Sequence, residues 1–231
     1  MGLDWNPGNR PKPGHEAEHE DIIRRIRGKD YASGESVLSK AIGLFTASKQ
    51  AGKPTEAELL QRFGEISSSA FETLNAPRVG FDDRATEWAR KYHAENEIEE
   101  SEEDWLESVK GLYIVWLVED CDGVPRYSNG VPGGYVEPFS FRGQFLTDCT
   151  HIIGEDLLEQ CYETKTNAET LAFGKELLQK AEDHARQHDL DLDSLESDDP
   201  DSEEFKLDVV VCAGRWCLFW AERGHFLEAY W

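Results

Sequence analysis

Apolar residues recur at three- and four-residue spacing along most of the chain, which predicts a mostly helical protein. Across 35–50, Val37, Leu38, Ala41, Ile42, Phe45 and Ser48 have the spacing of a half-buried helix. Gly52-Lys53-Pro54 closes it, and Thr55 is placed to cap the next. That next helix, over about 55–75, carries Leu59, Phe63, Ile66, Ala70 and Leu74 on one face and stops at Asn75-Ala76-Pro77. Ala85, Trp88, Ala89 and Tyr92 extend the pattern through 82–97, and Trp105, Leu106 and Val109 resume it.

The stretch 112–118 is ambiguous. It is apolar throughout and rich in β-branched and aromatic residues, yet Trp105, Val109, Leu112 and Trp116 also fit a helix; Gly111 tips the reading to a small β element. Residues 121–144 then set turn formers between aromatics and predict a long composed loop. Helical spacing returns at about 142–162 (Leu146, Cys149, Ile153, Leu157), 167–188 (Leu171, Leu178, Ala181) and 204–223 (Val209, Ala213, Trp216, Trp220). Gly224 is the expected C-terminal cap of the last helix, and Phe226, Leu227, Tyr230 and Trp231 form an aromatic tail. Residues 1–14, rich in Pro, Gly and Asn, read as an extended arm docked through Leu3 and Trp5. The expected class is mainly α, one helical domain over 15–231 after the arm, with α+β as the alternative.

Charge narrows the candidate functions. The formal net charge is −23, and two runs, 95–107 with eight acids and 189–204 with nine, carry no base at all. These predict acidic loops at 95–104 and 189–204. No basic stripe is present for phosphate contacts, so direct nucleic-acid binding is not expected, whereas a basic protein partner or a small ligand is. The five cysteines are an odd set with no CxxC pair, and neither a membrane-length apolar run nor a secretory signal is seen, which suggests the cytoplasm.

Four patterns could carry chemistry. His15-Glu16-Ala17-Glu18-His19 matches the H-E-x-x-H spacing in which two histidines on one helix face hold zinc and the Glu activates water. It lies at the start of a polar helix without an evident third ligand, so a zinc hydrolase using His15 and His19 is the alternative reading, and no cofactor is the leading one. His184-Ala-Arg-Gln-His188 repeats the spacing without the Glu. Cys149 and His151 stand two apart, on opposite sides of a helix. The loop 121–144 gathers Arg126, Tyr127, Asn129, Tyr135, Glu137, Arg142 and Gln144, and Arg215 and His225 lie near the aromatic tail; these nine are the candidate binding residues. The expected function is a non-catalytic binding or inhibitor-like protein acting through this loop, the acidic surface, or both.

Overall fold

The computed structural model describes residues 2–31, 53–114, 117–118, 139–192, 194–195, 197 and 199–231. The elements are β1 (Asp4–Pro7), β2 (Arg10–Pro11), α1 (Glu16–Arg27), α2 (Glu56–Ile66), β3 (Ser67–Ser68), α3 (Ala70–Thr73), α4 (Asp83–Glu95) and α5 (Glu102–Ser108). After a 3₁₀ helix at Gly143–Cys149 come α6 (Thr150–Ile153), α7 (Glu155–Gln160), α8 (Asn167–His188), α9 (Glu203–Glu222) and β4 (Leu227–Tyr230). The protein is mainly α with small two-stranded sheets. No described helix is long and apolar enough to cross a membrane.

The long helices α8 and α9 form the centre. Thr166 opens α8 with a reciprocal capping box to Glu169, and Ser202 caps α9 by accepting the Phe205 N–H. Their contacts run in opposite chain directions: His184 meets Glu203, Gly174 meets Gly214, and Asn167 Nδ2 donates to the Ala221 carbonyl, so the pair is antiparallel. The closest approach is at the two glycines. A Cβ on Gly174 would lie 2.6 Å from the Cys217 Cβ, and one on Gly214 would lie 2.6 Å from Leu178 Cγ, so both positions need a hydrogen for the helices to pack this closely.

The residues preceding α1 are part of this core. Leu3 and Trp5 are buried, and β1 pairs antiparallel with β4 in the register Trp5↔Ala229 and Pro7↔Leu227. Trp5 also exchanges backbone hydrogen bonds with Phe141 (2.8 and 2.9 Å), and its indole N–H donates to the Cys161 carbonyl at 2.8 Å. Its ring lies 5.1–5.9 Å from those of Phe141, Phe173 and Trp216, and burial of this one side chain ties four distant segments together. Two smaller apolar clusters flank the core: Val79, Ala85, Ala89 and Ile114 between α4 and α5, and Ile22, Leu59 and Ile66 between α1 and α2.

Four expectations need correction. The helix over 55–75 is broken: Ser67 and Ser68 turn extended and pair with Pro11 and Arg10, and Ser69 caps a new short helix. The serine hydroxyls supply the alternative bonds, Ser67 Oγ donating to the Phe63 carbonyl and Ser69 Oγ accepting the Phe71 N–H. The helix over 142–162 becomes three pieces, because Gly154 at φ +84° ends α6 and starts α7. Within 112–118, Tyr113 makes an isolated bridge to Arg78, and the described residues there form no longer strand; the named strands lie at 4–7, 10–11, 67–68 and 227–230. The first acidic run does not stay a loop throughout: Ser101 caps α5, whose first turn holds Glu102, Glu103 and Asp104, where the helix dipole favours negative charge. The helix expected over 35–50 lies outside the described residues.

Candidate functional site

The candidate residues separate into three groups. Arg126, Tyr127, Asn129, Tyr135 and Glu137 lie outside the described residues. Arg142, Gln144 and His225 face the segment 2–8 and hold it in place. Arg142 Nη1 reaches Asp4 Oδ1 at 3.3 Å. Gln144 accepts the Leu3 N–H through its Oε1 and donates its own backbone N–H to the Leu3 carbonyl.

His225 is fully buried, between Gly8 and α3. Nδ1 lies 2.7 Å from the Gly8 carbonyl, to which it must donate, leaving Nε2 to accept from the Thr73 hydroxyl at 2.7 Å. Burial against Trp220 holds its pKa down at about 4, so at neutral pH it is an uncharged strut. Arg215 is exposed on α9. The loop end and the tail therefore do meet the same object, residues 2–8, and their polar groups are spent on it.

The H-E-x-x-H residues diverge. Glu16 turns back to accept the Gly14 N–H, His15 faces Glu18 at 3.3 Å, and Glu18 is held by two guanidinium nitrogens of Arg62 at 2.8 and 2.9 Å. That ion pair brings the Glu18 carboxyl down to about 2. His19 is buried, stacked on Phe63 at 4.8 Å and edge-on to Phe226. Among the described residues the three donors close enough to share one ion are instead His151, His184 and Glu203; His15 and His19 belong to no such group. The thiol of Cys149 is also no nucleophile, since burial pushes it up to about 12 and its Sγ is bonded to the Phe145 and Lys206 carbonyls.

What does open to a ligand is a groove of about 840 Å³ between α1, α2, α8 and β4, which sequence reasoning missed. Its apolar lining comes from Ile23 and Ile26 on α1, Phe63 on α2, Phe173 on α8, and Phe226. Leu60 (51% exposed) and Trp231 (73% exposed) extend it onto the surface. The Trp231 ring is anchored, its indole N–H donating to the Tyr162 carbonyl at 3.0 Å.

Charge around the groove is unbalanced. Glu163, Glu169, Glu176 and Glu228 face Arg27 and Lys165. Both bases are already committed. Arg27 makes a two-toothed pair with Glu169 and also donates to the Thr164 carbonyl. Lys165, buried, donates to the carbonyls of Gln160 and Glu163 with its ammonium over the Phe173 ring. Among the described residues no ion pair holds Glu163, Glu176 or Glu228, so the free charge at the rim is negative. The only trace in the sequence is the aromatic tail; the lining itself comes from elements far apart along the chain.

A comparison of the chain with protein families, curated proteins and solved structures gives no match.

Proposed function

We propose that the protein is a non-catalytic binding protein whose groove between α1, α2, α8 and β4 receives an apolar segment of a basic partner protein. The observation that carries this reading is the pairing of an apolar floor with a rim whose free charges are all carboxylates. Apolar side chains of the partner would displace water from Phe63, Phe173 and Phe226, and its Lys or Arg side chains would reach Glu163, Glu176 and Glu228. Trp231, large and already anchored, supplies the kind of contact that dominates interface energies. A net charge of −23 would speed encounter with such a partner and repel nucleic acid. The free thiols of Cys149, Cys161, Cys212 and Cys217 suit a reducing, cytoplasmic setting.

A fluorescein-labelled amphipathic Leu/Lys peptide, followed by anisotropy, tests this. Trp231→Ala and the double variant Glu163→Gln/Glu176→Gln should each weaken binding by about tenfold, equivalent to about 1.4 kcal/mol. Glu99→Gln/Glu100→Gln, in the exposed acidic run, should change it by less than about twofold. Equal losses from the groove and acidic-run variants, or equal binding of a Leu/Glu peptide, would refute the groove as the site.

A further inference from the structure

Three elements that meet at the end of the α8–α9 pair each bring one metal donor to the same point. His151 Nε2 lies 2.9 Å from both carboxylate oxygens of Glu203, and His184 Nε2 lies 3.5 Å from Glu203 Oε2. One ligand atom from each residue can be chosen so that all three fall within 4.8 Å of one another. We propose that His151, His184 and Glu203 form a binding site for one divalent transition-metal ion, with zinc the ion tested.

Donor type and geometry both fit. Bonds of about 2.0–2.2 Å in a tetrahedral zinc site place neighbouring donors roughly 3.3 Å apart, so the two histidine–carboxylate edges are already near that spacing and the histidine–histidine edge needs only a modest closure. Two imidazoles and one carboxylate select first-row transition ions over Mg²⁺ and Ca²⁺, which prefer all-oxygen shells. The third side of the argument is His184. Its side chain is 9% exposed, and its buried Nε2 makes no hydrogen bond of good geometry although it points at Glu203. An unpaired buried nitrogen costs stability unless something fills it, and a metal lone-pair acceptor would. His188 stacks on the His184 ring at 4.2 Å and fixes its plane.

The scaffold holds the donors without help from the ion. His151 is followed by the buried Ile152 and Ile153, His184 precedes the buried Ala185, and Glu203 is the first residue after the Ser202 cap. His151 and Glu203 face solvent, which leaves an entry path and an open coordination position for water. The ion would join α6 to the two ends of the 189–202 connection.

The test uses the full chain, treated with EDTA, titrated with ZnCl₂ in a calorimeter and, in parallel, with CoCl₂ to read the visible d–d band. One zinc per chain is expected, not displaced by excess MgCl₂. His151→Ala and Glu203→Gln, both at surface positions, should each weaken it by about tenfold or more and alter the cobalt band, with the circular dichroism of the metal-free protein unchanged. His15→Ala should leave the affinity as it was. Unchanged affinity in His151→Ala and Glu203→Gln, loss of binding in His15→Ala instead, or no zinc binding at all would overturn the assignment.

Discussion

The two ends of the molecule treat the same local spacing in opposite ways. At the α1 end, His15 and His19 stand four residues apart around a glutamate, the more suggestive motif, yet His15 goes to Glu18 and His19 into an aromatic stack. At the α8 end, His184 and His188 carry the poorer motif, yet His184 receives a second imidazole from α6 and a carboxylate from α9. Spacing along one helix decides which side chains share a face; what stands opposite that face decides what they can do. Hence His19 and His225 are packing groups, whereas His184 has neighbours that could share an ion.

The largest effect that would break this contrast is acid titration. His225 has a pKa of about 4 in the folded chain against about 6.5 when unfolded, so between those values the unfolded state binds the extra proton. Its contribution is complete above about pH 6.5 and falls away as the pH drops towards 4, by about 3 kcal/mol in all. His19, lowered by burial, acts in the same direction, and Arg10 and Arg223 oppose protonation of His225 further. Urea midpoints measured from pH 7 to pH 4 should decline, and His225→Gln should decline less steeply; parallel slopes would mean that His225 is not held neutral.

A smaller effect is expected at the motif itself. His19→Ala should cost about 1–3 kcal/mol, through the space left between Phe63 and Phe226, while zinc affinity stays constant. A loss of zinc there would merge the two ends into one kind of site. Smallest is Glu18→Gln. The pair with Arg62 is solvent-exposed on both sides, and its loss should leave the urea midpoint nearly unchanged despite the lowered carboxyl pKa.

Much of the fold was legible because helix periodicity is a local signal. α8 falls within the expected 167–188, and α9 begins one residue early. The break at Ser67–Ser69 was hidden because Ile66, Ala70 and Leu74 remain buried on both sides of it, so the apolar spacing survives while the backbone changes. The serine triplet was the available sign. Site residues fared differently. Arg142, Gln144 and His225 look like ligand-binding groups when the partner they hold, residues 2–8, is imagined as merely draped over the surface. His184 shows in the sequence only through its spacing to His188, and its grouping with His151 and Glu203 leaves no motif, since each comes from a different element and only the tertiary packing brings them together.

The pairing of β1 with β4 also bears on how the protein reaches its structure. Residues 4–7 wait for residues 227–230, a closure spanning nearly the whole sequence, and long closures slow folding. During synthesis, Trp5 precedes α9 and β4 and cannot complete its enclosure until they have followed. Until then the indole lacks the Trp216 face of its folded enclosure.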